Sequence, residues 1–202
     1  MRWTMMLVLA LLVSGMAVAQ PTTWKVDPAH SSITFSVDYM VLTEVRGNFK
    51  EFSAAMTSEG DEPEKSSVNV SIKTASVNTE NEKRDAHLRS ADFFDAGKYP
   101  EITFVSKSFE KGDGNRYTIT GDLTMRGITK SVVLDATYMG QAKDPWGNTR
   151  GGFKGTTTIN RYDFGLKYNS KLETGGVLIS ENVTVTINAQ FVKQQEQAAK
   201  TK

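Results

Sequence analysis

The sequence predicts an all-β protein in which about eight antiparallel strands form a closed barrel, with one short helical insert. Three observations lead to this prediction. Apolar and polar side chains alternate along most of the chain, as they do in half-buried strands. Turn-forming residues separate these runs at hairpin spacing. The strands are long, and closure into a barrel removes the exposed edges that an open sandwich leaves.

The alternating runs follow one another from the amino-terminal third of the chain to its end. Gly112–Asn115 (GDGN) reads as one hairpin turn, and Arg126-Gly127 reads as another. The predicted strands are Ser31–Tyr39, Val45–Met56, Ser66–Lys73, Glu101–Glu110, Arg116–Met125, the return strand after Gly127 as far as Met139, Gly151–Asn160 and Glu181–Phe191.

Two segments break the alternation. Residues 80–98 begin with helix-forming side chains and continue into a turn that carries Phe93 and Phe94, which predicts a short helical insert. Asp85 precedes Arg89 by one helical turn, the favourable order for an ion pair. Arg161–Ser180 is a long loop before the last strand, and loops of that length are often functional.

The first 19 residues have the pattern of a cleavable secretory signal. Arg2 precedes an apolar run from Met5 to Val13, and Ala17-Val18-Ala19 has the small residues that a signal peptidase requires. The run is too short to span a bilayer. We therefore expect a signal peptide at residues 1–19 and a single domain at residues 20–202, in a bacterial periplasm.

Composition excludes several classes of function. The chain has no cysteine, so thiol catalysis, disulfides and cysteine-based metal sites are excluded. Its 24 Lys and Arg residues face 23 Asp and Glu residues, so there is no basic excess to attract nucleic acid. The sequence contains no other long apolar run, so we expect no stable insertion into a membrane.

The two histidines are the candidates for acid–base catalysis or metal binding. Asp85 could orient His87 as an acid or base, but no nucleophile motif accompanies the pair. A salt-bridged helix end is the favoured interpretation. His30 and His87 lack the spacing of a metal motif, so we expect no metal site and no cofactor.

The aromatic side chains and Arg161 leave alternatives open. Phenylalanines on the apolar strand faces either fill a packed core or line a ligand cavity, and strand pattern alone does not separate these. Arg161 could hold the polar head of a ligand or pair with a carboxylate that pins the loop, and the pin is favoured.

Six motifs in order resemble the YceI-like family of secreted bacterial proteins, over about Trp24 to Phe191. Their order makes the resemblance specific. The motifs are Trp24–Ser31 (WKVDPAHS), Val45–Phe49 (VRGNF), Arg84–Asp95 (RDAHLRSADFFD), Tyr99–Phe104 (YPEITF), Gly121–Lys130 (GDLTMRGITK) and Asn160–Leu166 (NRYDFGL).

This resemblance implies an eight-stranded antiparallel barrel of lipocalin-like shape that holds an amphiphilic lipid, typically a polyisoprenoid or a quinone-like molecule. It implies a binding or carrier protein and not an enzyme. Family members often occur as homodimers, although no dimer signature is visible. Strand parity gives the face assignments of eight lining candidates, and three further residues are candidates for the head-group end. The lining candidates are Phe35, Val37, Phe49, Val70, Phe104, Leu123, Leu134 and Phe164, and the head-group candidates are Arg84, His87 and Arg161.

Two other functions remain as alternatives. A stress-related structural or interaction protein would have a barrel filled by its own side chains. An enzyme acting on a lipid would use His87 or His30 as acid or base.

Overall fold

A computed structural model describes residues 21–60, 63–170 and 177–194. Their strands carry the alternating burial that the sequence predicts. The strands are β1 (Thr22–Val26), β2 (Ser32–Tyr39), β3 (Thr43–Phe49), β4 (Phe52–Ser58), β5 (Ser66–Lys73), β6 (Val77–Asn78), β7 (Glu101–Lys111), β8 (Arg116–Met125), β9 (Ile128–Lys143), β10 (Thr149–Asn160) and β11 (Ile179–Lys193). The predicted signal peptide and the carboxyl-terminal tail lie outside the described residues.

The sheet closes into the predicted eight-stranded antiparallel barrel. The ring runs β1-β4-β5-β7-β8-β9-β10-β11 and is closed by the pairing of β1 with β11. Strand β11 also pairs with β2, and the ladder continues from there through β3 to β6. The prediction of fold class is therefore confirmed, although β1 was not among the predicted strands.

Three of the eight barrel strands are interrupted. Residues 27–31 separate β1 from β2, residues 50–51 separate β3 from β4, and residues 74–76 separate β5 from β6. The predicted strand Val45–Met56 is therefore two segments, in which β3 pairs with β2 and β4 pairs with β1. Two of the breaks contain single turns of 3₁₀-helix, Pro28–His30 and Thr74–Ser76.

The helical insert is also confirmed. Helix α1 spans Glu82–Arg89, and turns follow it as far as Lys98. Further 3₁₀ turns lie at Pro63–Lys65 and at Arg161–Phe164, where the predicted long loop begins. None of the helices in the described part of the chain has the length and apolar character needed to cross a membrane.

Both predicted hairpin turns join the expected strands. Gly112 donates a backbone hydrogen bond of 2.9 Å to the carbonyl of Arg116 at the β7–β8 turn. At the β8–β9 turn, Arg126 and Gly127 both have positive φ angles of 51° and 73°. Two positive φ values in succession give the turn the twist that tightly connected antiparallel strands require.

The core divides into two clusters along the barrel axis. The far cluster lies at the end where β1 meets β11, and the mouth cluster lies at the end that carries α1. The far cluster comprises Trp24, Met56, Val68, Phe104, Phe109, Tyr117, Ile119, Leu134, Ala136, Phe153 and Phe191. The mouth cluster comprises Ile33, Phe49, Ile72, Val77, Phe93, Phe94, Ile102, Met125, Ile159, Phe164 and Leu166.

An ion-pair network ties the far end of the barrel together. Arg150 donates from Nη1 to Asp27 at 2.6 Å and from Nε to Asp144 at 2.8 Å. The hydrogen bond from Arg150 and then that from His30 lower the pKa of Asp27 to about 2. Hydrogen bonds from Asn148 and then Arg150 lower the pKa of Asp144 to about 2. The network links the first strand to the β9–β10 hairpin.

We expect this network to make stability fall in acid. Both carboxyl groups have folded pKa values of about 2 against an ordinary value of 3.8. The two carboxylates therefore contribute most to the free energy of unfolding above about pH 4. This contribution is lost as the pH falls towards 2, because the unfolded chain binds protons at a higher pH than the folded chain does. Arg150→Met should unfold at lower temperature than wild type near pH 6, and the two curves should converge towards pH 2.

Arg116→Met is the matched control, because Arg116 lies 3.9 Å from an exposed Asp113. Thermal unfolding followed by circular dichroism between pH 2 and 7 measures the difference. A gap between wild type and Arg150→Met that stays constant over this range would contradict the assignment.

Candidate functional site

Two cavities lie along the barrel axis. The inner cavity has a volume of about 170 Å³, and the barrel-facing side chains of both core clusters line it. The mouth cavity has a volume of about 610 Å³ and extends beneath α1 to the β2–β3 hairpin. Their linings share Phe35, Phe49, Met125, Ile159 and Val185. The two cavities therefore adjoin each other and form one apolar path from the mouth to the interior of the barrel.

The structure brings most of the predicted lining residues onto this path. The inner cavity is lined by Phe35, Phe49, Val70, Phe104, Leu123 and Leu134. Val37 lines the mouth cavity, together with the three head-group candidates Arg84, His87 and Arg161. Phe164 packs in the mouth cluster with 2% of its surface exposed, and it is not among the described residues that line either cavity.

Two lining phenylalanines have ring atoms packed against glycines of neighbouring strands. A Cβ atom on Gly47 would come within 2.7 Å of Thr79 Cγ2 and would also strike the Phe35 ring. A Cβ atom on Gly121 would come within 2.6 Å of the Val105 carbonyl and would strike the Phe104 ring. Each ring therefore occupies the space that a side chain at the glycine position would need.

The start of α1 is fixed by a buried hydrogen-bond cluster around Thr79. Asp85 is 5% exposed, and its Oδ1 accepts from the Thr79 amide at 2.8 Å and from the Thr79 hydroxyl at 2.6 Å. Arg84 donates to Thr79 Oγ1 and to the Thr79 carbonyl, each at 2.7 Å. Asn81 caps the helix by accepting from the Arg84 amide at 3.0 Å. These bonds place Arg84 at the cavity edge.

The expected ion pair between Asp85 and Arg89 is not the contact that holds the helix. Asp85 turns back to Thr79, and Arg89 donates to the carbonyls of Ala75 and Val77 at 3.5 and 3.4 Å. Arg126, at the β8–β9 turn, donates to the carbonyls of Ala91 and Phe93. Arginine-to-carbonyl bonds therefore attach the insert on both sides.

His87 lies on the mouth cavity within an aromatic group. Its Nε2 lies 2.9 Å from Asp92 Oδ2, so the carboxylate that orients the ring is Asp92 and not Asp85, the partner of the disfavoured catalytic alternative. The imidazole meets the rings of Phe93 and Tyr168 edge to face, at centroid distances of 5.0 and 4.7 Å. The imidazole therefore has a carboxylate at Nε2 and two aromatic neighbours, and 40% of its side chain remains exposed.

Arg161 pins the loop through backbone carbonyls and not through the expected carboxylate. It donates to the carbonyls of Leu166, Tyr168, Ile179 and Ser180. The residue is 4% exposed, and burial lowers its pKa from the ordinary arginine value. The ring of Tyr162 lies 4.6 Å from the guanidinium carbon. Arg161 therefore borders the mouth cavity with its donors occupied by the chain itself.

His30 lies apart from this site. Its Nδ1 is 2.9 Å from Asp27 Oδ2, and 63% of its side chain is exposed near the far end of the barrel. Within residues 21–60, 63–170 and 177–194, no three histidine or acidic side chains converge as metal ligands would. The two histidines thus occupy separate ends of the molecule.

Comparison with known proteins decides the family. The YceI-like domain model matches residues 24–191, which include almost the whole described barrel. The chain belongs to the YceI-like family. The resemblance carried by the six sequence motifs is thereby confirmed.

Relatives of this YceI-like protein match it over most of their length. A UPF0312 protein of Pseudomonas putida (strain GB-1) is 38% identical over 186 residues, which cover 92% of this chain and 93% of the relative. The crystal structure of a Campylobacter jejuni YCEI protein is 36% identical, with a TM-score of 0.69, over 78% of this chain and 90% of the other.

A more distant structure shares the fold alone. It is described as a polyisoprenoid binding domain from Saccharophagus degradans implicated in plant cell wall breakdown. Its sequence identity is 14% and its TM-score is 0.65, over 85% of this chain and 98% of the other.

Some cavity residues were not among the sequence-based candidates. Met56, Phe109 and Ile119 line the inner cavity, and Tyr168 and Leu178 line the mouth cavity. Met56 and Ile119 follow the alternation of their strands, so the same parity argument would have found them. Phe109 does not, because a register shift between Ser106 and Ser108 reverses the parity of β7 after Phe104. The other two lie in the irregular segment before β11, where no periodicity indicates which side chains face inward.

We expect Asp85→Ala to destabilise the mouth end by about 1–3 kcal/mol, because it leaves the buried Thr79 amide without its acceptor. Asp85→Asn, which keeps an acceptor oxygen, should lose less. Asp92→Ala is the control, since the Asp92 side chain is 57% exposed. Urea unfolding measures the change, and equal losses for Asp85→Ala and Asp92→Ala would contradict it.

We also expect Gly121→Ala to destabilise the barrel by about 1–3 kcal/mol, because its methyl group overlaps a ring and a backbone carbonyl that cannot easily move. Gly97→Ala is the control, because a Cβ atom there meets nothing within 4 Å. Thermal unfolding of both variants tests the packing, and an unchanged unfolding temperature for Gly121→Ala would show that the Phe104 ring moves aside freely.

Proposed function

We propose that this YceI-like protein binds one long apolar chain, a polyisoprenoid or a quinone-like lipid, and acts as its carrier in the periplasm. The tail occupies the inner cavity, and the polar head lies in the mouth cavity near Arg84, His87 and Arg161. The observation that carries the proposal is the apolar path formed by two adjoining cavities. The naming of the Saccharophagus degradans domain as polyisoprenoid binding supports the same class of ligand.

The dimensions suit a chain more than a compact ligand. The inner cavity of about 170 Å³ is smaller than a typical small-molecule site, whereas the mouth cavity of about 610 Å³ is within the range of such sites. Each buried CH₂ group contributes about 0.8 kcal/mol, so a prenyl chain gains affinity with each unit that enters. Few polar groups are needed for affinity, and those at the mouth would set the orientation.

Periplasmic carriage rests on the predicted signal peptide at residues 1–19. An exported protein that moves a water-insoluble chain must shield that chain from solvent, which a closed barrel does. A homodimer stays a prediction, and a carrier of this kind does not require one.

The first experiment identifies the ligand. The protein is purified without detergent from a bacterial periplasm, weighed by native mass spectrometry and extracted with organic solvent. We expect one prenyl lipid or quinone per chain. An empty protein that also refuses added prenyl lipids would overturn the carrier proposal and favour the structural or interaction protein.

We expect Val70→Trp to weaken binding of a long prenyl chain at least tenfold. Val70 lines the inner cavity and packs against both core clusters, so a larger ring there blocks the path. Excluding only two CH₂ groups removes about 1.6 kcal/mol, which exceeds the 1.4 kcal/mol of a tenfold change.

Asn69→Trp is the matched control, because Asn69 is exposed and its neighbour on the same strand points inward. Binding of a fluorescent prenyl analogue measures both variants. A short analogue that ends in the mouth cavity should bind Val70→Trp nearly as wild type does. Unchanged affinity for the long chain would remove the inner cavity from the site.

One observation favours a second candidate function. His87 lies on the mouth cavity and is paired with Asp92, an arrangement that can transfer a proton. An enzyme acting on the bound lipid would show chemically altered lipid after incubation, and His87→Ala would abolish that change while keeping the lipid bound. Recovery of the lipid unaltered by both proteins would exclude this function.

A further inference from the structure

The turn between β2 and β3 exposes apolar side chains to water. Val41 is 86% exposed and Leu42 is 78% exposed, while Tyr39 and Met40 are each 37% exposed. Hairpin turns normally carry Asn, Asp, Gly or Ser, whose backbone and side chains suit the turn and the solvent. The segment Tyr39–Leu42, named the apolar tip from here on, departs from that composition at every position.

The backbone of the apolar tip is unfavourable for its residues. Met40 has a φ angle of 56° and Val41 has one of 59°. A β-branched side chain with positive φ is a steric outlier, and Asn-Gly is the usual pair at such turns. The sequence thus keeps large apolar side chains where turn stability alone would select small polar ones. Strain of this kind occurs where function requires the side chain.

The apolar tip borders the mouth cavity. Tyr39, Thr43 and Leu178 line that cavity, and the Met40 amide donates to the Leu178 carbonyl at 2.8 Å. Val177, the neighbour of Leu178, is itself 39% exposed. The exposed side chains of the apolar tip therefore adjoin the cavity lining at Tyr39 and Leu178.

The opposite end of the barrel differs. Trp146 is 81% exposed there, but its turn is built on Asp144, which accepts from the amides of Trp146 and Asn148. Pairing of Arg150 with Val192 and of Tyr39 with Ile179 places the two turns at opposite ends of β11. The cluster of exposed apolar side chains at the tip therefore lies at the mouth end of the barrel.

The shape and charge of the apolar tip fit a bilayer. It is a convex projection, and a stable dimer would require about 1,000 Å² or more of complementary surface, beyond what four side chains supply. At its base Asp38 lies opposite Glu44, and Arg46 donates to Glu44 at 2.6 Å. These three charged residues have no excess of positive charge. We therefore expect the tip to bind a bilayer by inserting apolar side chains and not by attraction to anionic lipids.

We propose that the apolar tip inserts into the apolar layer of a lipid bilayer and so places the mouth of the cavity at the membrane surface. The inference goes beyond the proposed function, and it does not depend on a ligand being bound. A barrel docked in this way exchanges its contents directly with the membrane without passing the apolar chain through water.

The test uses the chain from residue 20 onward, which contains every described residue, without bound lipid. Vesicles of phosphatidylcholine are mixed with the protein and floated through a density gradient. We expect wild type to float with the vesicles, with no gain from added phosphatidylglycerol. The Val41→Asp, Leu42→Asp double variant should associate at least about tenfold more weakly, because two charges would have to enter the bilayer.

The Val133→Asp, Met139→Asp double variant is the matched control, because it also removes two exposed apolar side chains, 51% and 54% exposed, from the barrel flank. It should float as wild type does. Asp tolerates a positive φ better than Val, so the tip variant should keep the fold, which circular dichroism checks. Val41→Trp adds a direct readout, since its fluorescence should shift to the blue when vesicles are added.

Three outcomes would overturn the proposal. Wild type could stay in the aqueous fraction with both vesicle types. The tip variant could float as well as wild type. The tip variant could instead convert a dimer into a monomer in sedimentation while neither protein floats, which would assign the tip to a second copy of the chain. The lipid identified by mass spectrometry is unaffected by any of these results.

Discussion

The barrel depends on the pairing of β11, the carboxyl-terminal strand, with three neighbours. It runs along β10, joins β1 at the far end and joins β2 at the mouth end. A ring of antiparallel strands has no free edge only if its first and last members pair. Because the one long strand β11 closes the barrel at both the far end and the mouth end, the two cavities follow each other along a common axis. The apolar path between them is a product of that single strand.

The arginines near the mouth act mainly as structural ties. Arg84 and Arg89 donate to backbone carbonyls within residues 75–79. Arg126 donates to carbonyls of the insert, and Arg161 donates to carbonyls of the loop before β11. Side-chain donors of this kind satisfy carbonyls that irregular segments leave without ladder partners. Positive charge at the mouth is thus largely used in holding the rim. Most of the other side chains that line the mouth cavity are aliphatic or aromatic, so its surface is mainly apolar.

The sequence predicted the regular parts of this molecule well. Alternation located the lining residues on the strands, since a side chain two positions along a strand faces the same way. It did not locate the breaks, because 3₁₀ turns such as Pro28–His30 replace ladder bonds without changing the polarity pattern. Nor did it predict the contacts of Asp85 and Arg161, whose partners are backbone groups that every residue carries. The ligand itself was inferred from resemblance and not from periodicity.

The three strand interruptions lie side by side, at residues 27–31, 50–51 and 74–76. They form a line across the wall where hydrogen-bond ladders are discontinuous, and beyond that line β6 pairs with β3 alone among the described strands. Cooperative units of a protein separate where such ladders are interrupted, and short, thinly paired strands open first. We therefore expect the end of the barrel beyond this line to open locally before the continuous strands do. Such an opening would cost less free energy than unfolding the whole barrel, because the ladders of the continuous strands would stay paired.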